Sequence, residues 1–144
     1  SVIPTSTGAA KVARKIFPYM EASMGMAHRV PVLVGSEVMI TAVLRDNPRG
    51  VEELREAFKT AAESARFRGI LQTSDKPLVS SRIVGNPHSS IIDLPMLDVQ
   101  EDVARVLAWY DNVTGYSARL AEAVMGSKKK AFGRSVEGKL RGTA

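Results

Sequence analysis

A string of short apolar runs, each cut off by turn residues and bracketed by stretches of helical periodicity, restricts the fold of this chain more than any other feature. Ile70-Leu71, Leu78 to Val84, Ile91 to Leu94 and Val103 to Tyr110 read as strands, and Asp75-Lys76-Pro77 and Asn86-Pro87-His88 as the turns between them. Two further extended segments precede them, residues 26–33 and Glu37 to Leu44, parted near Gly35. In the second, Val38, Ile40, Ala42 and Leu44 alternate with Met39, Thr41 and Val43. Three helices frame the set: Ala9, Val12, Ala13, Ile16 and Phe17 form one apolar stripe. Val51, Leu54, Ala57, Phe58, Ala61, Ala62 and Ala65 form the clearest one, and Tyr116, Leu120, Ala123 and Val124 the last. Strands that group between helices, without strict strand–helix alternation, predict an α+β fold: a mostly antiparallel sheet with helices packed on one face.

The helix ends carry their own signals. Ser6 or Thr7 suits the N-cap of the first helix, and Pro18 disfavours helical geometry at Phe17. Asn47-Pro48-Arg49-Gly50 breaks the chain before the second helix. Glu52 and Glu53 in its first turn and Arg66 and Arg68 near its expected end suit the helix dipole, with Gly69 as the stop.

The 144 residues fit one domain, and the 44% apolar and 24% charged content is that of a folding chain. No run approaches the roughly 20 apolar residues of a membrane span. Cysteine is absent, which removes disulfides, thiolate metal sites and thiol nucleophiles from these residues. The two histidines, His28 and His88, lack the spacing of a helical zinc pair, so no metal site is expected. Of 20 basic and 15 acidic residues, six and one fall in residues 126–144, leaving 14 of each in residues 1–125. That asymmetry predicts a domain over 1–125 and a basic, extended tail over 126–144, whose Lys128, Lys129, Lys130, Arg134, Lys139 and Arg141 would dock on an anionic surface.

Four sets of residues together resemble the phosphorylating glyceraldehyde-3-phosphate dehydrogenases. They are Ile3-Pro4-Thr5-Ser6-Thr7-Gly8-Ala9-Ala10-Lys11; Gly25-Met26-Ala27-His28-Arg29-Val30-Pro31; Leu78-Val79-Ser80-Ser81 with Gly85-Asn86-Pro87-His88-Ser89-Ser90; and Trp109-Tyr110-Asp111-Asn112 with Gly115-Tyr116-Ser117. They stand in the family's order and at its approximate spacings, over residues 1 to about 125. The resemblance implies the later part of that enzyme's catalytic domain. The nucleotide-binding Rossmann domain, the segment with the nucleophilic cysteine and the catalytic histidine of the family have no counterpart in this sequence. By the same resemblance, Thr7, Gly8 and Arg29 would contact phosphate, and Asn112, with Tyr116 nearby, would hold the nicotinamide amide. The family's Glu-Trp after that asparagine is Val113-Thr114 here. A hydroxyl-glycine turn at a helix start and a guanidinium are chemically suited to an anion.

Plainer roles are open for the same residues. Ser6, Thr7 and Gly8 make an ordinary helix cap, Arg29 an ion-paired sheet residue, His28 a structural or interface residue, His88 part of a turn, and Trp109-Tyr110 core packing. Three classes of function follow. The leading one is a non-catalytic, dehydrogenase-like accessory or structural subunit of a larger assembly, bound to other protein subunits, with its tail on an acidic protein, lipid headgroups or RNA. The second is one fragment of a split dehydrogenase, contributing phosphate and nicotinamide contacts to a site completed by another chain. The third is a basic-tailed component of a ribonucleoprotein particle. The isolated chain is expected to have no enzyme activity and to bind no cofactor, NAD(P) entering only with a Rossmann domain. The basic charge and the non-Met start lead to the expectation of a processed organellar protein of mitochondrion or plastid, with the cytoplasm as the alternative.

Overall fold

The computed structural model describes residues 1–20, 22–46 and 48–126. The chain divides into two compact units, Ser1–Leu33 and the part that begins at Val34.

In the first unit, β1 (Ile3–Ser6) pairs antiparallel with β2 (Met26–Arg29), and α1 (Ala9–Ile16) lies between them in sequence. The register sets Ile3 opposite Arg29 and Ser6 opposite Met26. β1 escapes the sequence reading because Pro4 and its hydroxyl neighbours look like a loop; a two-stranded sheet offers an edge where a proline's missing N–H costs nothing. The extended segment expected over 26–33 is a strand only as far as Arg29. Val32 N–H turns back to the Val30 carbonyl at 2.8 Å, and Pro31 between them has no ladder donor. α1 ends before Pro18 as expected, with Phe17 at φ −119°, ψ 79°.

The second unit contains β3 (Ser36–Val43), α2 (Val51–Glu63), β4 (Leu71–Ser74), β5 (Ser90–Asp93), β6 (Asp98–Gln100) and β7 (Val103–Tyr110), then α3 over residues 114–126. The sheet order is β3-β7-β5-β4, with β6 folded back on β7. Every pair is antiparallel except β4 with β5, so the fold is α+β with a largely antiparallel sheet. Alternation in β3 translates directly into register, with Val38, Ile40 and Ala42 opposite Ala108, Val106 and Ala104. On that face Val51, Leu54 and Phe58 of α2 pack against Ile92, Leu94, Leu97 and Ala108.

Two sequence expectations change. Leu78 to Val84 is not a strand: Asp93 Oδ2 takes the Leu78 N–H at 3.0 Å, and Arg82 N–H bonds the Val79 carbonyl at 2.9 Å, closing a 3-10 turn over Ser80–Arg82. Its apolar content serves one buried side chain, Ile83, rather than a sheet face. α2 stops at Glu63, not at Gly69. Ser64 is extended at ψ 150°, and its hydroxyl donates to the Ala61 carbonyl at 2.6 Å, so Arg66 and Arg68 fall in the turns beyond the helix. At the other end Glu53 reaches back to accept the N–H of Arg49, the residue before the Gly50 cap, at 2.6 Å.

Gly35 must be glycine. It has φ +101°, and a Cβ there would stand 3.1 Å from both Ile83 Cδ1 and the Ser80 carbonyl oxygen.

Candidate functional site

Within the first unit, the turn into α1 has the form expected of an anion contact and also that of a plain cap. The Thr7 hydroxyl oxygen accepts the Ala9 N–H at 3.2 Å, and Gly8 occupies the N-cap position, exposed, with nothing within 4 Å of where a Cβ would stand. Two residues that the sequence reading did not single out fix this turn. Gly25 lies against it, since a Cβ there would meet Thr7 Cγ2 at 3.2 Å, and the Ser23 hydroxyl donates to the Ala10 carbonyl at 2.9 Å. The helix start thus leaves open backbone at Gly8 beside a hydroxyl already engaged in capping.

Arg29 stands further along the paired strands. It sits opposite Ile3, while the chain reaches Thr7 beyond the Ser6–Met26 pair, about four residue steps or ~13 Å along the strand. Both Arg29 and its neighbour His28 are exposed, and among the described residues of this unit there is no carboxylate to pair with Arg29.

In the second unit, Asn112 and Tyr116 are exposed one turn apart at the start of α3. What holds them is Asp111, which the sequence reading passed over. Its Oδ1 accepts the Val113 and Thr114 N–H groups at 2.8 and 2.9 Å, and its Oδ2 accepts the Gly85 N–H at 2.8 Å and the Thr114 hydroxyl at 3.0 Å. The Thr114 N–H, then the Gly85 and Val113 N–H groups and the Thr114 hydroxyl, lower its pKa from 3.8 to about 2 against the opposing effect of burial. An aspartate directly before a helical stripe is an N-cap signal, and it was legible. Gly115 packs against the His88 carbonyl at 3.0 Å from where its Cβ would stand, and Arg119 donates to the Gly69 carbonyl and the Ser89 hydroxyl. His88 is held by Asn86, whose amide in turn donates to Gln72 at 2.8 Å, so the turn accounts for it.

The Asn112 amide carries the donor and acceptor that a carboxamide ligand needs. Among the described residues, however, no glycine-rich strand-to-helix turn stands ready for a pyrophosphate. Lys128, Lys129, Lys130, Arg134, Lys139 and Arg141 lie outside the described residues.

The last long strand of this α+β sheet, β7, ends at Tyr110 and leads through Asp111 and Asn112 into a helix that Asp111 caps. The family described as "Glyceraldehyde 3-phosphate dehydrogenase, C-terminal domain" matches residues 1–112, and the chain belongs to it. It is 46% identical over 125 residues to the glyceraldehyde-3-phosphate dehydrogenase of Mycobacterium avium, covering 86% of this chain and 36% of that protein. The enzyme of Mycolicibacterium smegmatis is 44% identical over 125 residues, with the same coverage. That of Borreliella burgdorferi is 41% identical over 124 residues, covering 85% of this chain and 37% of the relative. The chain spans little more than a third of the length of these relatives.

Proposed function

We propose that these 144 residues form a non-catalytic, dehydrogenase-like domain that serves as an accessory or structural subunit of a larger assembly, in contact with other protein subunits. The observation that carries this reading is the absence of cysteine from the whole sequence. A reaction that oxidises an aldehyde through a thioester needs a thiolate to attack the carbonyl carbon, and no other side chain here can replace it. The purified chain is expected to show no aldehyde-dependent reduction of nicotinamide and no covalent adduct with an aldehyde substrate by intact-mass measurement. Turnover by protein free of host dehydrogenase overturns the proposal.

A second reading is favoured by the exposure of Asn112 and Tyr116 on a helix start that Asp111 holds in place. In it the chain completes a split dehydrogenase, lending Asn112 and Tyr116 to nicotinamide contacts and Thr7, Gly8 and Arg29 to phosphate contacts, while the nucleotide-binding domain and nucleophile come from another polypeptide. Mixing the chain with the remaining two thirds of a relative such as the Mycobacterium avium enzyme then restores activity, and Asn112→Ala abolishes the restoration. No activity from the mixture, with both pieces folded and bound, leaves the accessory reading alone.

A further inference from the structure

The start of α3 rests on the turn of residues 85–89 through three separate contacts. Asp111 Oδ2 accepts the Gly85 N–H at 2.8 Å, a Cβ at Gly115 would stand 3.0 Å from the His88 carbonyl oxygen, and Arg119 Nη1 donates to the Ser89 hydroxyl at 3.2 Å. The turn has a brace of its own. The Asn86 amide nitrogen donates to Gln72 Oε1 on β4 at 2.8 Å, which leaves the Asn86 oxygen as acceptor for the His88 N–H at 3.0 Å and for the His88 ring Nδ1 at 2.8 Å. His88 is thereby held with its proton on Nδ1. All of these contacts lie within residues 72–119 of the second unit, away from both ends of the chain.

We propose that Asn86 is a positioning residue for the carboxamide contact at Asn112: it shapes the turn on which the start of α3 rests, and so sets where Asn112 stands. The proposal deepens the split-dehydrogenase reading and rests on it. Asn112 is exposed and directly follows Asp111, whose carboxylate is held from one side by the Val113 and Thr114 N–H groups and from the other by the Gly85 N–H. Its place is therefore set by the turn as well as by the helix. An amide recognises a carboxamide through hydrogen bonds that weaken steeply when donor and acceptor move out of line. A shift of the turn should thus weaken binding of the nicotinamide end of a cofactor and spare the rest of it. The two halves of the Asn86 side chain act separately, the oxygen on His88 within the turn and the nitrogen on Gln72 of β4. Aspartate at this position keeps the first.

The test uses the full chain assembled with the remaining two thirds of a relative such as the Mycobacterium avium enzyme. It reads equilibrium binding of NAD against ADP-ribose, the same cofactor without its nicotinamide. Asn86→Ala is expected to weaken NAD binding about tenfold and to leave ADP-ribose binding unchanged, the pattern also expected of Asn112→Ala. Asn86→Asp recovers most of the loss. Gly115→Ala, which forces α3 off the His88 carbonyl from the other side, reproduces it. Circular dichroism of each chain alone serves as the folding control. A wild-type assembly that binds NAD no more tightly than ADP-ribose, or whose NAD binding Asn112→Ala leaves unchanged, defeats the split-dehydrogenase reading and the proposal with it. Where Asn112→Ala does separate the two ligands, an Asn86→Ala or Gly115→Ala assembly that binds NAD as wild type does overturns the positioning role alone. So does an equal loss for NAD and ADP-ribose, which is the mark of a damaged fold and not of a displaced Asn112.

Discussion

At the scale of single residues, four hydrogen bonds converge on the Asp111 carboxylate and tie the turn at Gly85 to the first turn of α3. Asp111→Ala is expected to lower the melting temperature and fray α3, and Asp111→Asn to do so less, because an amide oxygen keeps part of the acceptor set while losing the charge. Far-ultraviolet circular dichroism and thermal melts check this. The sign of the pH effect follows from the lowered pKa. The unfolded chain binds this proton more tightly than the folded one, so the stabilisation is complete above the ordinary value of 3.8 and is lost as pH falls through about 2. Acid titration of wild type against Asp111→Asn should show that extra loss between those values in wild type alone. Gly35 gives a second residue-scale expectation. Gly35→Ala meets both a left-handed backbone and a contact with Ile83, and should cost about 1–3 kcal/mol by chemical denaturation. The local bonds of Asp111 to Val113 and Thr114 follow from its N-cap position, but neither its Gly85 partner nor Gly35's neighbour Ile83 could be read from sequence, since those contacts join positions far apart along the chain.

Elements were legible where one periodicity acts over many residues. The stripe of α2, the alternation of β3 and the apolar run of β7 survive into the structure because α2 lays Val51, Leu54 and Phe58 on the core and β3 pairs with β7 along its whole length. Legibility failed where a single polar contact decides the backbone. Asp93 Oδ2 draws in the Leu78 N–H and turns an apolar run away from the sheet, and the Ser64 hydroxyl ends α2 ahead of the glycine that signalled the stop. The candidate site divides the same way. Thr7, Gly8, Asn112 and Tyr116 were named from motifs; of their supports, Gly25 and Asp111 stand in the same motifs without showing what they hold, and Ser23 and Arg119 act through bonds that no motif displays. The load on the α2 layer can be measured at Leu94, which is fully buried among Ile92, Leu97, Ala108 and the residues of α2. Leu94→Ala should destabilise the second unit by about 2–5 kcal/mol in denaturant unfolding.

For the whole molecule, the electrical neutrality of residues 1–125 conceals a separation of charge. Ser1–Leu33 carries Lys11, Arg14, Lys15 and Arg29 against Glu21, whereas residues 34–125 carry ten basic and thirteen acidic side chains. At an anionic surface each basic residue contributes about 1 kcal/mol. Removal of residues 126–144, with their excess of five positive charges, should therefore abolish the larger part of salt-sensitive binding to an anionic partner and leave a remnant on the first unit. A salt series on the full chain and the 1–125 chain, with circular dichroism as the folding control, measures both parts. The way such experiments can be followed is itself set by the structure. Trp109 is the sole tryptophan of the sequence, and its indole N–H donates to the buried Asp93 carboxylate at 3.1 Å. Emission excited selectively at Trp109 is therefore a local optical reporter on the joint between β5 and β7 of the second unit. If emission and the helical dichroism signal change at the same denaturant concentration, the two units unfold as one; if they separate, the chain is two cooperative folding units on a single thread.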